Sequence, residues 1–144
     1  MIEEKRRLAL VRMQAMVAGL ARREAMRGLA EALDEERRRH ALAERAAQLL
    51  ASSGARTGTA LGEDIARASR FATGIARIAD DAAVARGDAR RQTEWQASQL
   101  ASAEARARRL AEIETAAETA LYEARDRRTA PLAMSMARKL HRHK

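Results

Sequence analysis

The sequence predicts an all-α protein, a long antiparallel two-helix coiled-coil hairpin, and three observations carry that expectation. The apolar 47% of its 144 residues is largely alanine, 33% are charged, and Phe, Trp and Tyr occur once each. Alanine buries little area per residue, so this A/E/R/L-rich profile suits long helices better than a compact globule. Apolar residues recur over long stretches at alternating steps of three and four, the spacing of a helix that shows one stripe to a partner. One credible break interrupts them: "SSGARTGTALG", 52–62, holds three glycines in eleven residues.

The first helix is expected over 3–51. Its seam reads Leu10, Met13, Val17 and Leu20, then Met26, Leu29, Leu33, His40, Ala43, Ala47 and Leu50, with Glu36 as a polar lapse. The step from 20 to 26 breaks the repeat, so a slip of register is expected there. A turn follows at 52–62.

The second helix is expected over 63–128, opened by Glu63 and Asp64 at its positive end. At 1.5 Å per residue it would run roughly 100 Å. Its seam steps through Leu61, Ile65, Ala68, Ala72, Ile75, Ala79, Ala82, Arg86, Ala89, Thr93 and Gln96. It continues with Leu100, Ala103, Ala107, Leu110, Glu114, Ala117, Leu121, Ala124 and Arg128. Fifteen of these twenty positions are apolar. A strict 3.5-residue repeat implies left-handed supercoiling, and a short connection makes the helices antiparallel. A hairpin centred near residue 57 sets the slip at 20–26 against 88–94, where Arg86, Gly87 and Thr93 weaken the second seam. A loose middle is expected there, with residues beyond about 111 overhanging the first helix. Outward faces carry an acid four residues before an arginine, as in Glu35–Arg39 and Glu123–Arg127, the stabilising orientation.

A basic tail, 129–144, closes the chain. Pro131 ends the preceding helix or begins a new turn, and Leu132, Met136 and Leu140 repeat at four-residue spacing. From Arg125 onward seven basic residues face one acid, which accounts for most of the net charge of +8.

Several function classes find no support in these residues. There is no cysteine, hence no disulfide or thiolate metal site. His40 lies on the expected seam, and His141 and His143 make at most a weak metal pair, so no metal or cofactor is expected. Neither GxxxxGK[ST] nor GxGxxG occurs, no nucleophile is paired with a histidine, and an enzyme or small-molecule substrate is not expected. No apolar run approaches the ~18 residues of a membrane span, and "MIEEKRR" leads into no signal-like apolar region. A cytosolic compartment is the expectation. Acids interleave with arginines along most of the chain and stacking aromatics are scarce, which makes nucleic acid unlikely as a partner except through the tail.

The stretch "SRFATGIARIADDA", 69–82, carries more information. Ile75 and Ala82 lie on the seam, while Phe71 and Ile78 sit one position off it, as Leu42, Ala46 and Leu49 do on the first helix. Two readings stand: a thicker core near the bend, or an exposed apolar ridge that docks a partner. Trp95, also off the seam, either covers the loose middle or contacts a partner.

The chain resembles the FliJ-like flagellar export proteins and their type III secretion relatives of the YscO group. "RFATGIARI" resembles the family's aromatic-then-aliphatic run opening the second helix. "AEARARRLAEI" resembles its basic–Leu–acid–x–aliphatic pattern at Arg109, Leu110, Glu112 and Ile113. "RDRRTAPLAMSMARKL" departs from the acid-rich close of the family. The resemblance implies an antiparallel hairpin that sets its terminal end in the ring of an export ATPase, contacts an export gate protein and handles export chaperones. By position, Phe71, Ile75, Ile78 and Ala82 would meet the gate. Arg6, Arg7, Arg125, Arg127, Arg128, Arg138 and Lys139 would meet the ATPase. The implied setting is bacterial flagellum biogenesis and motility, peripheral to the inner membrane, with membrane contact only indirect. The alternatives are a basic coiled coil that binds nucleic acid through its C-terminal tail, and a generic structural coiled coil.

Overall fold

A computed structural model describes residues 1–54 and 62–142. The chain is all-α: α1 runs Ile2–Gly54 and α2 runs Gly62–His141, and no strand occurs among the described residues. The two helices pack against each other. Glu3 and Glu4 in the first turn of α1, and Glu63 and Asp64 in that of α2, place negative charge at the positive helix ends. At the close of α1, Ser52 and Ser53 donate back to the carbonyls of Leu49 and Leu50, three residues earlier, at 3.1 and 2.9 Å. The expected turn, 52–62, and the seam position Leu61 fall largely or wholly outside the described residues.

The basic tail is a departure from expectation. The second helix does not stop at 128 but continues through Pro131 to His141. Proline removes one intrahelical hydrogen bond. Its neighbours Ala130, Leu132, Ala133, Met134, Met136 and Ala137 are good helix formers, and Thr129 donates its hydroxyl back to Arg125 and Asp126.

Contacts divide the chain into two compact units: a terminal unit, Met1–Glu24 with Ala101–Lys144, and a central unit, Ala25–Leu100. In the terminal unit the core is Leu8, Ala117 and Leu121, with Met1 packed against it. Val11 and Ala18 are also buried in this unit. Arg12 of α1 donates to Glu114 at 3.2 Å and to Glu118 at 2.7 Å on α2. In the central unit Ala32, Ala43 and Ala46 of α1 and Ile75 and Ala89 of α2 are buried. There Thr93 donates its hydroxyl to the carbonyl of Ala32 at 3.2 Å. In both units facing residue numbers fall on one helix as they rise on the other, so the segments run antiparallel.

The second seam matches its expected positions. From Ala72 to Ala124 each is buried or half-buried except Arg86; Ile65 and Ala68 before it and Arg128 after it are exposed. The first seam needs correction. Leu10, Met13, Val17 and Leu20 are 51–58% exposed, and Met26, Leu33, His40 and Ala47 are exposed too. The residues α1 buries are Leu8, Val11, Ala18, Ala32, Ala43 and Ala46, all on one unbroken 3-4 repeat. A helix turns one stripe to its partner, and the alanine stripe allows the closer approach. The slip at 20–26 is a product of following the bulkier residues instead.

The register moves with it. A bend-centred hairpin sets Thr93 against the 20–26 stretch, whereas Thr93 meets Ala32. A heptad stripe buries similar surface at several registers, so specific contacts choose among them. The Thr93 hydroxyl is one. Gln96 packs beside Gly28, where a Cβ would lie 2.7 Å from its Oε1, but that flexible side-chain end can swing aside, so Gly28 constrains the register less than Thr93 does.

Candidate functional site

Along the central unit, one edge of the α1–α2 seam is apolar and open. Phe71 and Ile78 of α2 are 65% and 62% exposed, and Leu42 and Leu49 of α1 are 52% and 57% exposed. Of the two readings of the off-seam residues, the exposed ridge is the one the structure shows for these four; Ala46 alone of that set is buried. Leu42 and Ile78 line one groove together with Ala46, Ala82 and Ala85, bordered by Arg39 and Asp81.

The spacing explains why these side chains stand out. Phe71 and Ile78 lie seven apart, as do Leu42 and Leu49, so each pair repeats on one face of its helix, adjoining the buried stripe rather than entering it. Gly74 lies between Phe71 and Ile78 at steps of three and four, on their side of the helix. A Cβ there would meet nothing within 4 Å. The ridge therefore has bare backbone between two large apolar side chains, a place where another chain can approach closely.

The four residues tied to the gate by resemblance do not form one exposed set. Phe71 and Ile78 are exposed, Ala82 is half-buried, and Ile75 is buried on the seam at 9%. Trp95 is 54% exposed, so about half of its surface stays open. The seven basic residues of the terminal end are all exposed and all lie in the terminal unit. Arg127 pairs with Glu123 at 3.8 Å, and Arg125 lies over the Tyr122 ring at 6.0 Å. Among the described residues Arg6, Arg7, Arg128, Arg138 and Lys139 make no ion pair.

His40 is 59% exposed in its side chain, with Nε2 3.9 Å from Glu44, and shares an open groove with Leu33, Arg86 and Arg90. Among the described residues no three histidine or carboxylate side chains converge as metal ligands, and no helix is long and apolar enough to cross a membrane. Sequence reasoning missed Arg12, whose guanidinium is held charged beyond its ordinary range by Glu118 first and Glu114 second. Its signal was a register in which residue 12 faces 114 and 118.

Fold and site together describe a class: an all-α chain of two packed helices, with an exposed apolar ridge in its central unit and exposed basic residues in its terminal unit. No protein-family model, curated protein or solved structure matches the chain.

Proposed function

We propose that this chain is a non-enzymatic coupling protein of a flagellar or related type III export apparatus. It binds the export gate protein through the ridge at Phe71 and Ile78, and the export ATPase through the basic terminal end. Chaperone handling belongs to the same reading, as does a place at the cytoplasmic face of the inner membrane. The observation that carries the proposal is the exposed pair Phe71 and Ile78 flanking open backbone at Gly74, in the run that resembles the gate-contacting stretch of FliJ-like proteins. Side chains of that size left in water are a standing source of binding free energy for a partner. Ile75 holds the seam beneath the ridge, and Ala82 contributes only its half-exposed edge. The basic residues suit acidic surfaces of a ring, where charge complementarity speeds association and fixes orientation.

The experiment is a pull-down and titration with a purified gate cytosolic domain and export ATPase. Phe71→Ala with Ile78→Ala should leave helicity by circular dichroism unchanged and reduce gate binding by about a hundredfold, in line with the loss of two buried anchors. ATPase stimulation should persist after nuclease treatment. Steeply salt-dependent DNA retention that disappears on deleting 125–144, with no effect on the ATPase, would favour the nucleic-acid alternative instead.

A further inference from the structure

In the terminal unit α1 carries two apolar stripes and uses one. Leu8, Val11 and Ala18 face α2 and are buried, whereas Leu10, Met13, Val17 and Leu20 remain more than half exposed. These four are spaced 3-4-3, the pattern with which a helix meets another helix. Two residues apart on a helix differ by about 200° in direction, so Leu10 points away from Arg12 and its carboxylates. Beside the stripe, Leu10, Met13 and Val17 form one wall of a groove whose other wall is Arg106, Arg109 and Leu110 of α2.

The charge around this groove has one sign. No carboxylate lines it. From residue 5 to residue 23, α1 carries Lys5, Arg6, Arg7, Arg12, Arg22 and Arg23 and no acid. Glu104 and Glu112 stand close to these arginines in sequence, but among the described residues Arg106 and Arg109 make no ion pair, and Glu114 and Glu118 are taken up by Arg12. A second copy of this chain would bring arginine against arginine here, and a neutral apolar helix would leave Arg106 and Arg109 without counter-charges. We propose that the terminal unit binds an acidic amphipathic helix of a partner protein, its apolar face on Leu10, Met13, Val17 and Leu20 and its carboxylates on Arg106 and Arg109. The proposal uses neither the ridge at Phe71 and Ile78 nor the basic set assigned to the ATPase, and it stands or falls apart from that function.

The test is fluorescence anisotropy with the full chain and two labelled peptides. One is a helical peptide of leucines at three- and four-residue spacing with glutamates on its flanks; the other replaces every glutamate by lysine. At about 0.15 M salt, where only charges within ~8 Å act strongly, the glutamate peptide should bind at least about tenfold more tightly than the lysine peptide. Met13→Gln with Val17→Gln should weaken the glutamate peptide by about tenfold at unchanged helicity. Arg106→Glu with Arg109→Glu should reverse the preference, and this pair decides the matter if the first variant loses helicity. Equal binding of both peptides would overturn the proposal. So would no saturable binding, or binding lost in Phe71→Ala with Ile78→Ala but kept in the Met13/Val17 variant. A dimer in sedimentation that Val17→Gln dissolves would assign the stripe to a second copy and overturn it equally.

Discussion

The terminal and central units use the same two helices and the same 3-4 repeat, yet close their seams with different side chains. The terminal unit buries Leu8, Val11 and Leu121 together with Ala18 and Ala117. The central unit buries four alanines, Ala32, Ala43, Ala46 and Ala89, with Ile75 its one large buried side chain among the described residues. A leucine brings apolar area, worth about 1.5–3 kcal/mol when fully buried. An alanine brings little area but lets backbones come close enough for Thr93 to reach the carbonyl of Ala32 and for Gln96 to sit against Gly28. The difference lies in what fills the seam and not in what it leaves outside: Phe71, Ile78, Leu42 and Leu49 stand exposed in the central unit, as Leu10, Met13, Val17 and Leu20 do in the terminal one.

Truncation at the seam gives the largest expected effect and tests the contrast directly. Leu121→Ala should destabilise the terminal unit by about 2–3 kcal/mol, through lost transfer free energy and an imperfectly closed void. Trp95 and Tyr122, the single residues of their kinds, lie in the central and terminal units respectively and report on them separately in urea. The Tyr122 transition should move to lower urea first. If Trp95 and Tyr122 shift together by the same amount, the two seams are one cooperative structure and the contrast in side-chain volume has no energetic consequence.

The middle-sized effect lies at the polar link of the central unit. Thr93→Val keeps the shape and removes the hydroxyl that donates to Ala32 and to Ala89 at 3.2 and 3.1 Å. A net cost of about 1 kcal/mol is expected, read from the Trp95 urea midpoint, while Thr93→Ser should restore most of it. A Thr93→Val protein as stable as the parent would mean that alanine packing alone holds this register.

How much of this was legible beforehand follows from what a stripe can and cannot specify. The second seam was legible almost residue by residue, because from Ala72 to Ala124 one apolar line dominates the helix. The first was not, because α1 carries two lines in its opening turns and the bulkier one, Leu10 to Leu20, is the one left outside. Size argues for burial in a globule; between two helices, continuity of the repeat and closeness of approach decide. The register was illegible for a related reason, since its specific contact is made by Thr93, which a count of apolar positions scores as a defect. At the ridge, the sequence placed Phe71 and Ile78 off the seam but left core and exposed readings open. Only the position of the facing helix separates them.

The smallest effect belongs to the polar link of the terminal unit, and its size is what makes it informative. Arg12 spans two carboxylates, but its side chain is 55% exposed, and an exposed ion pair contributes little to stability. Arg12→Gln should therefore move the Tyr122 midpoint only slightly, and less at 1 M salt, where the screening length falls to about 3 Å. The raised guanidinium pKa gives stability that is present below its unfolded value and lost only as pH rises through the folded one, far into the alkaline range, so Arg12 stays charged throughout the neutral region. In a double-mutant cycle Glu118→Gln should couple to Arg12 more strongly than Glu114→Gln, following the shorter contact. Coupling as large as the whole effect of Thr93→Val would exceed what an exposed pair supplies. It would mean that the terminal seam depends on its charges as much as the central seam depends on Thr93, and the leucines would lose their place as the source of the difference.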